Sequence, residues 1–105
     1  MKSSKKRDLE SAGWKVGDTQ EFLELSDAEM ALVDVRVSLS RDLRHRRRAK
    51  KISQATLAKR IGSSQSRVAK MEAGDPSVTI DLLMKTLFRA GSTPAEIGQV
   101  IAQAG

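Results

Sequence analysis

The stretch GSSQSRVAKMEAG, residues 62–74, sets Gln65, Ser66, Arg67 and Lys70 close together with no acid between them. These side chains can recognise base edges. Glutamine can bond adenine N6 and N7 with both ends of its amide, serine can reach a base or a phosphate, and arginine or lysine can reach guanine or phosphate. Catalysis has far less to work with. The single histidine, His45, sits in the basic run RDLRHRRRAKK and is expected on a solvated surface. A Ser–His–Asp set could only enlist Asp42, one helical turn away on the same surface, and no oxyanion-hole glycine motif lies nearby. There is no cysteine, no glycine-rich phosphate loop and no carboxylate pair spaced with histidines for a metal. No catalytic residue, metal or cofactor is therefore expected. Trp14 could stack a base or, more simply, bury its ring to anchor the N-terminal segment.

The elements that hold these side chains follow from spacing. If Val68 and Met71 face a core, then at about 100° per residue Gln65, Ser66 and Lys70 lie outward, with Arg67 at the edge. Ser64 is placed to cap this helix, and Gly74 with Asp75 and Pro76 ends it. Ser53 caps the preceding helix, QATLAKRI, which buries Leu57, Ala58 and Ile61 and stops at Gly62. Gln54 opens that helix, so its backbone N–H lies at a positive helix end, suited to clamping phosphate. On polarity alone, a base-reading face and a plain solvated face both fit residues 65–73.

Ser26-Asp27-Ala28-Glu29 has the form of a capping box and predicts a helix from Asp27 to near Lys50. Met30, Val33 and Val37, with Leu32, Val35, Leu39 and Leu43, carry its apolar pattern. A separate short helix is expected in GDTQEFLEL, capped by Asp18 or Thr19, with Phe22, Leu23 and Leu25 as its contacts. The long helix is apolar over much of its first half, which invites packing on that short helix or on a second copy of the chain. After Gly74, Thr79 or Ser77 opens a helix carrying Ile80, Leu83 and Leu87. Thr93-Pro94-Ala95-Glu96 then starts a last one, with Ile97, Val100 and Ile101 inward. No segment alternates as a strand. The chain is expected to be all α, with residues 1–17 a flexible basic arm, 18–38 an acidic helical extension and 39–105 the domain proper.

Charge is segregated along this plan. Six acids and no base fall between Asp18 and Asp34, whereas eleven lysines or arginines and one acid, Asp42, fall between Arg41 and Lys70. A cationic patch of that density suits phosphate. With Leu39 taken as the buried reference, Arg47 borders the buried face of its helix, and it alone of the run is expected to be structural. The basic start has no apolar run behind it, and no stretch nears the roughly 18 residues of a membrane span. A soluble, cytoplasmic protein that avoids membranes is expected.

The segment SQATLAKRIGSSQSRVAKMEAG, 53–74, resembles the lambda-repressor-like, Cro-type helix-turn-helix proteins of the XRE family, and the likeness extends over about 39–91. Gln54, Leu57, Ala58, Ile61, Gly62, Ser64, Gln65, Val68, Met71, Glu72 and Gly74 match in register. The resemblance implies a five-helix all-α domain with a long first helix that binds double-stranded DNA, with the helix 65–73 in the major groove of a palindromic operator and a homodimer as the bound form. By position, Gln65, Ser66 and Lys70 become base readers, and Ser53, Gln54, Ser64 and Arg67 phosphate or mixed contacts. Arg47 and Glu72 become the family's structural ion pair. The sequence departs from the pattern at Lys51, where the family often has glycine, implying a less tight turn. It departs also in its extended first helix and in the acidic DTQEFLELSDAEMALVD. Chains of this build resemble, more loosely, HigA-like antitoxins, which bind their own operator and neutralise a toxin. The acidic segment would then meet a basic toxin, or else simply pack locally.

Overall fold

The computed structural model describes residues 16–105, with side chains from Ser26 onward. Its five helices are α1, Val16–Ala49; α2, Gln54–Ile61; α3, Gln65–Glu72; α4, Ile80–Arg89; and α5, Pro94–Ala102. Among the described residues there is no strand. By compactness the chain divides at Leu32/Val33 into two units, residues 1–32 and 33–105. Most of the arm expected over 1–17 lies outside the described residues, as do Trp14 and the side chains of Phe22, Leu23 and Leu25.

The break expected between a short helix and one starting at Asp27 does not exist. α1 runs unbroken through 34 residues, and Ser26 is a buried position inside it whose hydroxyl has no hydrogen-bond partner among the described residues. A capping box acts only where the backbone leaves helical geometry at the cap. No glycine or proline interrupts the chain between Gly17 and Gly62, so nothing makes it leave. The order of charge along α1, acids first and Arg46, Arg47 and Arg48 in the last turn, suits the helix dipole. Packing of Met30, Leu32 and Val33 on a preceding short helix is thereby excluded, and all three are more than two-fifths exposed.

The unit 33–105 holds the core. Leu39 and Leu43 of α1, Leu57, Ala58 and Ile61 of α2, Val68 and Met71 of α3, Val78, Leu83 and Leu87 of the α4 region and Ile97 of α5 form one buried cluster. Each fully buried leucine contributes about 1.5–3 kcal/mol of apolar transfer. Ile101 does not join them. It lies in the last turn of α5 and is 36% exposed, since among the described residues no later element covers that side.

Side-chain caps define where α2 to α5 begin: Ser53, Ser64, Thr79 and Thr93 each accept a hydrogen bond from the backbone N–H three residues on. At Thr93 the box is complete, because Glu96 accepts the Thr93 N–H in return. That bond, with help from the Thr93 hydroxyl and Arg46, holds the Glu96 carboxyl below the usual carboxylate range.

The ends of the first two helices share one geometry. After α2, Ser63 N–H reaches back to Ala58 O at 2.8 Å and Gly62 N–H to Lys59 O, with Gly62 at φ +67°. After α1, Ile52 N–H reaches Arg47 O at 3.4 Å and Lys51 N–H reaches Arg48 O at 2.9 Å. Lys51 occupies the same left-handed region at φ +57°. The looser turn expected from a lysine at this position is not formed. The lysine accepts the strained conformation instead, because the orphan carbonyls of α1 need these donors.

Candidate nucleic-acid interface

Three residues, Gly62 to Ser64, separate α2 from α3, so the two short helices form a helix-turn-helix. The hydroxyl oxygen of Ser64 accepts the Arg67 N–H at 3.1 Å, which fixes the first turn of α3. Val68, Met71 and Glu72 are the buried residues of that helix, and Gln65, Ser66, Arg67 and Lys70 are exposed. None of these four side chains has a hydrogen bond within the described chain; Lys70 lies close enough to Asp75 to help lower its carboxyl, after the larger effect of the Ser77 N–H. Ala69, one turn on from Gln65, is half-buried on the same side. It was not picked out from the sequence, where an alanine between polar residues looks like filler. Its short side chain is the kind that can touch a thymine methyl.

The inner edge of α3 is fixed by a charged cluster. Arg47 donates from Nε to Glu72 Oε2 at 2.6 Å and from Nη2 to Oε1 at 3.0 Å, and its Nη1 donates to Ile52 O at 2.9 Å. Gln54 Nε2 also donates to Glu72 Oε1, at 3.2 Å. One carboxylate thus ties the end of α1, the start of α2 and the end of α3. Its side chain is 3% exposed and that of Arg47 is 12%, so the attraction is weakly screened. The bond to Glu72 holds the Arg47 guanidinium still more firmly protonated than usual. Gln54 is therefore not free at its side chain, and only its backbone N–H stands open at the α2 N-terminus. Ser53 likewise caps α2 through its oxygen and gives its own proton to Thr56.

Arg47 is not the only structural arginine of the basic run. Arg46 donates to Asp42 at 2.7 Å and to Glu96 at 3.2 Å, pinning α1 to α5. Lys50 donates to Ala90 O at 2.7 Å, and Arg36, just upstream, to Val78 O at 3.2 Å. Periodicity within α1 could not find Glu96, Ala90 or Val78, which lie 40 or more residues away in the chain. Arg41, Arg44 and Arg48 have no hydrogen-bond or ion-pair partner within the described chain. With Asp42 engaged by Arg46 and His45 exposed, no triad forms. Among the described residues no cluster of histidine and carboxylate side chains could hold a metal.

The arrangement presents unpaired donors on one face of a helix whose opposite face is locked in the core. Residues 43–85 match the helix-turn-helix family model. The matched segment runs from the second half of α1 through α2 and α3 into α4, and so contains the whole cluster around Glu72. The match supports a DNA-binding regulatory domain. No curated protein and no solved structure matches the chain. Among the described residues no helix is long and apolar enough to cross a membrane.

Proposed function

We propose that the chain is a sequence-specific transcriptional regulator that binds a palindromic operator as a homodimer, with residues 65–73 in the major groove. The observation that carries this reading is the contrast on α3: Gln65, Ser66, Arg67 and Lys70 are exposed and unbonded, while Glu72, the one acid of the helix, is buried and paired. Gln65, Ser66 and Lys70 read base edges; Arg67, with Ser53, Gln54 and Ser64 at the two helix starts, holds the backbone. Residues 39–105 form the DNA-binding domain, and 18–38 an acidic extension. Phe88 and Ile101, exposed on α4 and α5, offer apolar surface to a second copy. The test is selection of operators from random DNA, followed by gel shift. The expected result is a palindromic consensus with half-sites about one helical turn apart; enrichment of no sequence would sink the proposal.

A second role, antitoxin of a type II pair that also regulates its own operon, is favoured by one feature of α1. Met30 and Leu32 are 44% and 53% exposed beside Asp27 and Glu29, an apolar and acidic strip suited to a basic toxin. A small basic protein should then copurify with the chain and be lost on Leu32→Glu.

A further inference from the structure

The basic run of α1 sorts into two sets that the sequence does not separate. Arg46, Arg47 and Lys50 are tethers, each donating to an acceptor on another part of the fold. Arg41, Arg44 and Arg48 donate to nothing in the described chain and are exposed. Their spacing of three and then four residues puts them in one row along the helix. Arg44 and Arg48 stand about 6 Å apart along its axis.

That row borders α3. Arg44 and Arg48 line a cleft with Gln54 and Ala69, and Arg41 and Arg44 line a second with Ser40 and Gly74. The two clefts share Arg44, Glu72 and Ala73, so they adjoin each other between α1 and α3. Glu72, the acid they share, is already neutralised by Arg47 and hydrogen-bonded by Gln54. Ser40, 2% exposed with no partner for its hydroxyl among the described residues, lies on the wall of the second cleft. On the opposite side of α3 another cleft is lined by Ser64, Ser66, Arg67 and Lys70. The helix is therefore a ridge between two polar grooves, as it must be if a DNA strand passes on each side of it.

We propose that Arg41, Arg44 and Arg48 form a phosphate track along α1, which grips the DNA backbone beyond the contacts of the two motif helices. The inference rests on the reading of α3 as the base-reading helix. One strand presents a charge about every 3.4 Å along the duplex axis, so the row can meet several successive phosphates. The track carries affinity and no sequence preference.

The experiment measures the salt dependence of operator binding for the full chain and for Arg44→Gln/Arg48→Gln. Neither arginine makes a bond within the described chain, so the melting temperature should not move. Losing two phosphate contacts should reduce the slope of log K against log salt by about 1.8. Between 50 and 200 mM salt, the variant should then lose roughly tenfold less affinity than the parent, on operator and on unrelated DNA alike. An unchanged slope with operator binding intact overturns the track and leaves the base-reading proposal standing; failure of the parent chain to select any operator overturns both. Inorganic phosphate is titrated in parallel. Thermal stabilisation by it that the substitutions abolish, with the operator slope unmoved, would assign the two clefts to a small anion and overturn the DNA track.

Discussion

Two turns of this protein are built to one pattern and deliver the same residue to different ends. Lys51-Ile52-Ser53-Gln54 and Gly62-Ser63-Ser64-Gln65 each place a left-handed residue first, a serine cap third and a glutamine at the first helical position. After the first turn the glutamine amide bends back onto Glu72. After the second it is exposed and bonds to nothing in the described chain. The residue type and the cap are shared, so neither explains the difference. What differs is what stands opposite: Gln54 faces the end of α3, where a buried carboxylate has a lone pair to spare, and Gln65 meets no acceptor among the described residues. A polar side chain becomes scaffold, or is left free for an outside ligand, according to whether the fold supplies its partner.

Removing that partner should produce the largest effect. Glu72→Ala leaves the nearly buried Arg47 guanidinium without its acceptor and takes the partner from Gln54 as well. Breaking a buried pair on one side costs about 3 kcal/mol, mostly as the penalty of the charge left behind. Urea unfolding followed by circular dichroism should show a loss of this size, and operator binding should weaken because the first turn and the end of α3 lose their anchor. A loss well under 1 kcal/mol would mean that the cluster is effectively solvated, and that α3 is positioned by Val68 and Met71 alone.

The two glutamines themselves give the next test. Gln65→Ala should cost about 1–3 kcal/mol of operator binding, confined to one base position, and leave the unfolding midpoint almost unmoved. Gln54→Ala should do the reverse in character. It lowers stability by about 1–2 kcal/mol, through loss of a hydrogen bond to a charged acceptor, and weakens binding evenly over all base positions. Gel shifts against a panel of single-base operator variants separate the two patterns. Equal weakening on every sequence by Gln65→Ala would demote that residue to a backbone contact.

Much of this arrangement was legible in the sequence where the determinant is local. The three-residue spacing of Val68 and Met71 fixed which side of α3 faces outward, and the serines and threonines before α2 to α5 marked their starts. Local signals misled where the same letters met a different context. Ser26-Asp27-Ala28-Glu29 and Thr93-Pro94-Ala95-Glu96 look equally like capping boxes, yet only the second follows a glycine turn and contains a proline. The chain therefore leaves helical geometry there and stays in it at Ser26. Partnership was the least legible property, apart from the Arg47–Glu72 pair that the family resemblance implied. Arg46, Arg47 and Arg48 are consecutive, and their destinies as tether, buried pair and exposed cation depend on Glu96, Glu72 and the absence of any acceptor. None of these is visible from α1 alone.

The smallest expected effect probes the first position of the two turns, where one has a lysine and the other a glycine. Lys51 at φ +57° and Gly62 at φ +67° do the same work, but only the glycine does so without a Cβ crowding the following carbonyl. Lys51→Gly should therefore relieve about 1 kcal/mol of backbone strain, partly offset by the greater entropy of the unfolded chain, for a net gain of a few tenths of a kcal/mol. Gly62→Ala should lose about 1 kcal/mol. A Cβ there would meet nothing within 4 Å, so this cost is conformational and not steric contact with a neighbour. Thermal melts of the two variants, read as a pair, decide the matter. If Lys51→Gly destabilises by as much as Gly62→Ala, the lysine is held for its side chain, and the left-handed turn after α1 is sustained by interactions of the Lys51 side chain rather than by the two backbone bonds to Arg47 and Arg48.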